Sequence, residues 1–172
     1  MFAPAMTATA RTTIQTLQLL PHPEGGFYKE TYRSQQSITV ARHGHSALAA
    51  RSVSTGIYFL LESGNFSAFH RICSDEMWHF YAGDALEVLE LADTGALRCT
   101  RLGPDLGRGE VFQHVVSAHT WFASRVAAGG AFSLVGCTVA PGFDFADFDM
   151  AERAALLAKF PQHRQTITEL TR

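Results

Sequence analysis

Short segments rich in aromatic and β-branched residues recur along most of this chain, at intervals of roughly ten residues, and turn-forming residues separate them. The segments cover residues 27–33, 37–40, 53–61, 66–72, 77–81, 86–91, 97–102, 111–116, 121–126 and 131–140. Between them fall Gly64-Asn65, Gly83-Asp84, Asp93-Thr94-Gly95, Gly103-Pro104-Asp105 and Gly129-Gly130. Strands this short and this regular predict an all-β sandwich or barrel. Helix is predicted only at the two ends. Ile14, Leu17 and Leu20 lie at helical spacing before Pro21, after a frayed Ala/Thr-rich stretch at residues 1–11. Near the other end, Asp149 reads as an N-cap with Glu152 reciprocating, and a last short helix covers residues 163–170. The expected organisation is a single domain over residues 1–172, with a β core at about 24–142 and a C-terminal helical segment at 149–170.

Composition removes several function classes. The chain has 172 residues, 47% of them hydrophobic and 17% charged, with a net charge of −2. That balance suits a large buried core, and the scattered Lys and Arg residues form no basic stripe of the kind a nucleic acid needs. No apolar run is long enough to span a bilayer, and Met1 to Ala10 lacks the charged and apolar regions of a signal peptide. Cys73, Cys99 and Cys137 are isolated, which fits reduced thiols. A cytoplasmic protein is the expectation.

One segment carries chemistry. Residues 64–83 place glycines around a His and a Glu with the spacing G-x5-H-x-I-x3-E-x6-G, the His being His70 and the Glu being Glu76. This resembles the first signature of the cupin superfamily, with Ile72 where that signature carries a second histidine. The segment Ser117-Ala118-His119-Thr120-Trp121-Phe122 lies where the second signature, P-x-G-x2-H, is expected, so His119 stands at its glycine and Phe122 at its histidine. The runs His22-Pro23-Glu24-Gly25-Gly26-Phe27, Ser54-Thr55-Gly56-Ile57-Tyr58-Phe59 and Leu134-Val135-Gly136-Cys137-Thr138-Val139 further resemble one branch of that superfamily, the domain-of-unknown-function family DUF985. The resemblance implies a jelly-roll barrel (a double-stranded β-helix) that assembles as a homodimer, and it implies no established reaction.

Strand alternation places His70 with Phe66, Ala68 and Ile72 on one face, and Glu76 with Trp78 and Phe80 on the facing one. With Phe122 and Tyr58, these predict an aromatic-walled pocket for a small polar or sugar-like metabolite, holding two titratable groups. Three functions follow. A metal-independent isomerase or epimerase would use His70 as base, Glu76 to orient it and Tyr58 or Tyr81 as acid, by similarity to the cupin-fold sugar epimerases. A metal-dependent oxygenase or lyase would hold Zn, Fe, Ni or Mn on His70, Glu76 and His79, with His114 and His119 as outside candidates. It would need a β-bulge near Trp78 to turn His79 inward. A non-catalytic metabolite-binding protein would leave the His–Glu pair structural. The strand after Gly25-Gly26 has two readings: a turn that needs glycine, or a segment that lends Tyr28, Lys29 or Glu30 to a neighbouring barrel.

Overall fold

The computed structural model describes residues 9–41 and 48–172, and most of the stretch expected to be frayed lies outside that range. Two antiparallel sheets face one another. The first has six strands, taken in chain order as β1 (Leu20–Pro21), β2 (Phe27–Arg33), β5 (Thr55–Glu62), β7 (Asp75–Gly83), β10 (Gln113–Val116) and β12 (Phe132–Ala140). Their order across the sheet is β1-β2-β5-β12-β7-β10. The second sheet contains β6 (Phe66–Ile72), β8 (Leu86–Leu91), β9 (Leu97–Leu102), β11 (Trp121–Val126) and β13 (Phe148–Met150), in the order β13-β6-β11-β8-β9. A separate hairpin pairs β3 (Ser37–Ala41) with β4 (Leu48–Ser52). The non-sequential neighbours β2-β5-β12-β7-β10 and β13-β6-β11-β8 make this the expected jelly-roll arrangement.

Alternation sorts the strands into three apolar layers. Phe59, Leu61, Trp78, Leu86, Val88, Leu102, Val116 and Phe122 fill the space between the sheets. Phe69, Leu89, Leu91 and Ala123 point out of the second sheet and are covered by helices α2 (Arg153–Lys159) and α3 (Arg164–Glu169) through Leu156, Phe160, Ile167 and Leu170. Ile14 and Leu17 of helix α1 (Ala10–Leu17) pack with Leu19 on Leu60 and Phe132, on the outer side of the first sheet.

Four element expectations are corrected. Helix α1 begins at Ala10, capped by Thr9, whose side chain accepts from the Thr12 N–H, so residues 10 and 11 are ordered. It ends before Leu20, because Gln18 takes a left-handed φ of 56° and Leu20–Pro21 pairs with Phe27 and Tyr28. Asp149 is not an N-cap: it lies in edge strand β13 and pairs with Arg71 at 2.7 Å, while Glu152 precedes α2 without a capping side chain. Strand β4 went unread because Leu48-Ala49-Ala50-Arg51-Ser52 carries little β-propensity, and its pairing with β3 supplies the order instead.

Candidate functional site

The space between the sheets is solid at one end and hollow at the other. The hollow end is a cavity of ≈ 310 Å³. Its apolar walls come from inward positions of β5, β6 and β12, namely Ile57, Phe59, Ile72 and Val139. Set into them are His70, Glu76 and Cys137, all buried. Tyr28, Glu30 and Arg33 reach the cavity from β2, and Phe143, Asp144 and Phe145 from the segment after β12. Tyr28 and Glu30 therefore line their own subunit's cavity, whereas Lys29 bonds the side chain of Gln18.

The turn at residues 22–26 brings in two groups that the signature does not contain, His22 and Glu24. Gly25 and Gly26 have φ of 116° and 72°, and a Cβ on Gly25 would lie 2.0 Å from the Phe66 carbonyl oxygen. Glycine thus lets the turn press against β6. The Glu24 carbonyl then accepts from the Ala68 N–H at 2.9 Å, and Arg172 reaches the same carbonyl at 3.4 Å.

A β-bulge completes the arrangement. In the β6–β11 pairing His70 faces Phe122 but Ser67 faces Ser124, so β6 carries one extra residue. Phe66, expected to share the His70 face, is turned out to the helix layer, and Ser67 is turned in. Ser67 Oγ donates to Glu24 Oε1 at 2.8 Å, and Glu24 Oε2 sits 3.2 Å from His70 Nε2 and 3.5 Å from His22 Nδ1. His70 Nδ1 donates to the Ala68 carbonyl at 2.7 Å, which fixes the tautomer when the ring is neutral. Nε2 then faces Glu24 Oε2 as an acceptor, and burial disfavours the charged form of both groups. Burial raises Glu24 above the usual carboxylate range, against His22 and the Ser67 bond, and it lowers His70, against the charge of Glu76 and the Ala68 bond.

Glu76 is the freer group. Burial pushes its carboxyl up to about 7, with the charge of Glu24 adding and that of His70 opposing. Its side-chain partner is the Cys137 thiol, whose own pKa is raised well above the ordinary value by burial and by Glu76. His22 is lowered by burial; its ring lies edge-on to Tyr28 at 4.6 Å and stacks with Phe145 at 6.0 Å.

The other sequence-chosen residues lie elsewhere. Trp78 and Phe122 belong to the packed core; Phe122 touches the His70 ring, with centroids 4.1 Å apart, and so backs a cavity residue without lining the cavity itself. Phe80 packs at the edge of that core. Tyr58 and Tyr81 face out of the first sheet, edge-on to each other at 5.9 Å, so neither reaches the cavity as an acid. His79 also faces out, with Nε2 bonded to Thr138 Oγ1 and Nδ1 to Gln113 Nε2, both at 3.0 Å. The bulge in β7 falls at Tyr81, between the Phe80–Val135 and Ala82–Leu134 pairs, too far along to turn His79 inward. His114 pairs with Glu90 at 2.6 Å. His119 has a left-handed φ of 66° and donates its N–H to the Ile72 carbonyl, so it serves the turn that the motif's glycine would make.

This donor set does not fit a resident divalent ion. Such a site takes at least three protein ligands. Here both nitrogens of His70 and Oε1 of Glu24 are already committed, the two remaining signature positions are Ile72 and Phe122, and His79 is across the sheet. Among the described residues no group of three or more His, Cys, Asp or Glu side chains is arranged to hold a metal.

Comparison with known proteins agrees with this architecture. Residues 11–151 match a family model described as the cupin superfamily (DUF985). The protein YML079W of Saccharomyces cerevisiae, described as uncharacterized, is 31% identical over 153 residues, covering 84% of this chain and 76% of its own. The solved structure of a hypothetical protein from Leishmania major superposes with a TM-score of 0.87 at 36% identity, covering 95% of this chain and 99% of that one. Protein SO0799 from Shewanella oneidensis gives 0.85 at 40% identity, covering 96% and 99%. Oxalate decarboxylase of Bacillus subtilis, at 13% identity and a TM-score of 0.52 over 36% of its chain, shares the fold.

Proposed function

The chain belongs to the DUF985 family of the cupin superfamily, and on that premise we propose that it binds a small polar metabolite between its sheets and acts on it by metal-independent proton transfer of the isomerase or epimerase kind. The observation that carries the reading is Glu76, a buried carboxyl in a ligand-sized cavity with a pKa of about 7. A group poised near neutrality gives up and takes back protons with the least loss, which is what proton abstraction beside a carbonyl requires. This moves the base from His70, whose nitrogens are both engaged, to Glu76, and leaves the His70–Glu24 pair to set the field around it. Tyr28 and His22 replace Tyr58 and Tyr81 as cavity groups able to return a proton.

The test is solvent-deuterium incorporation into a panel of keto- and aldo-sugars by chelator-treated protein, followed by NMR. Exchange by the parent protein and its loss in Glu76→Gln is the expected result. Ligand binding without exchange in any panel member would favour the non-catalytic reading instead.

We further propose that the protein works as a cytoplasmic homodimer: its three cysteines are free thiols, as a reducing compartment keeps them. Met77, Tyr81 and Val115 expose an apolar strip on the outer face of β7 and β10. Light scattering on the purified chain tests the assembly.

A further inference from the structure

The cavity's charge pattern narrows what it can accept. Four carboxyl groups line it, Glu24, Glu30, Glu76 and Asp144, against one guanidinium, Arg33. That guanidinium is spent: its Nε and Nη2 hold both oxygens of Glu30 at 2.9 and 2.7 Å, and its Nη groups also reach the Phe143 carbonyl. Arg51 lies 3.8 Å from Asp144 but is committed to Asp147 at 2.6 and 2.9 Å. An anionic ligand would therefore enter a cavity that offers it no unpaired cation. Rings dominate the same wall. Phe143 and Phe145 meet edge to face at 5.0 Å, and Phe145 stacks on His22, which in turn abuts Tyr28. Aromatic faces beside carboxylates are the surroundings in which an organic ammonium group is held. At the inner end, Glu76 is 7% exposed, and among the described residues its side-chain partner is a thiol, a weak donor. A buried carboxyl so poorly satisfied calls for a donor from the ligand.

We propose that the cavity selects a small amine-bearing metabolite, with its ammonium group on the Asp144 and aromatic side and a hydroxyl or carbonyl-bearing carbon at Glu76. Amino sugars and other short polyhydroxylated amines have this chemistry; sugar phosphates and sugar acids do not. The inference rests on the cavity of the proposed function being the ligand site, but not on proton transfer. Affinity is read at equilibrium, so absence of deuterium exchange and absence of amine selectivity are separate results.

The experiment is calorimetric titration of the full chain with two matched series. One is D-glucosamine, D-glucose and D-glucuronate; the other is benzylamine, benzyl alcohol and benzoate. In at least one series the amine should bind about tenfold tighter than its neutral partner, as a cation–π contact combined with a carboxylate contact provides, and the carboxylate should bind weakest. Asp144→Asn should erase most of that preference without touching the neutral member. Asparagine keeps the turn that Asp144 Oδ1 makes with the Ala146 N–H, so the fold is retained. Glu30→Gln should release Arg33 and raise the carboxylate's affinity. Unchanged melting temperatures for both rim variants would show that folding is not the cause. A carboxylate that binds the parent protein as well as the amine would overturn the proposal. So would an amine preference that survives Asp144→Asn, or failure of every member of both series to bind.

Discussion

The two ends of the space between the sheets are made by the same strands and filled in opposite ways. Along β7, Trp78 is in the solid end and Glu76, two residues earlier on the same face, is in the cavity. Along β5, Leu61 packs into the solid end, while Ile57 and Thr55 face the hollow. The filled end holds large apolar side chains at contact distance. At the hollow end the turn at residues 22–26 and the segment at 143–145 stand in for a further layer of core. The difference teaches that one sheet pair can separate the work of stability from the work of binding along its own strand direction. Phe122, against His70, marks the border.

Substitutions on either side of that border should behave differently, and Phe122→Ala should have the largest effect. It empties a fully buried site in the packed end, at a cost of about 3–5 kcal/mol in unfolding free energy by denaturant titration. A loss below ~1 kcal/mol would mean that the border is soft and the two ends are one plastic space.

Next is the pH dependence of stability. Glu76 has a folded pKa of about 7 against an ordinary 4.5, so the folded chain keeps a proton that the unfolded chain gives up. Its contribution is fully present below pH 4.5 and is lost as pH rises toward 7, by roughly 3 kcal/mol. Glu24, also raised, acts in the same direction. His22 and His70 are lowered and act oppositely: the unfolded chain protonates first as pH falls below 6.5, so their contribution is lost on acidification. Glu76→Gln should remove much of the fall in stability on the way up to neutrality, leaving the variant more stable than the parent above that window. An unchanged profile between the two proteins would show that Glu76 does not titrate where its burial places it.

Ser67→Ala should cost less, about 1–3 kcal/mol, because Glu24 Oε1 loses its hydroxyl donor while remaining buried. Melting of the two proteins side by side checks it. A neutral result would mean that the Glu24 side chain finds a new partner when the turn shifts.

How far this site was legible in the sequence follows from what alternation can and cannot see. Glu76 and Trp78 on one face, with Met77, His79 and Tyr81 on the other, came directly from the period of a strand, and β7 obeys it up to its bulge at Tyr81. Position in the signature was enough to put His70 and Ile72 in the cavity wall. Phe66 was misassigned because the bulge in β6 inserts one residue, which reverses the facing of everything before it, and no residue type in that strand announces a bulge. Glu24 and His22 were missed because their approach is tertiary. The signal was present in Glu24-Gly25-Gly26, where two adjacent left-handed glycines imply close contact with another backbone, but which backbone is decided by the fold. Tyr58 failed for a simpler reason. It alternates with Ile57 and Phe59, and the choice of inward face on β5 needed the pairing with β12 to settle it.

The smallest effect is expected on the outer face of the first sheet, and it bears on the comparison most directly. His79 shares β7 with Glu76 and has the composition of a ligand, yet it spends its ring nitrogens on Thr138 and Gln113 and lies parallel to Tyr81 at a centroid distance of 6.4 Å. Those bonds are on a partly exposed surface, where loss of two neutral contacts is within about 0.5 kcal/mol of neutral. His79→Ala should therefore leave the melting temperature nearly unchanged, and both the Glu76 pH profile and the amine titrations as they are in the parent protein. If it instead abolishes binding in the cavity, the sheet is transmitting between its faces, and the division of labour along β7 would have to be redrawn across the sheet as well as along it.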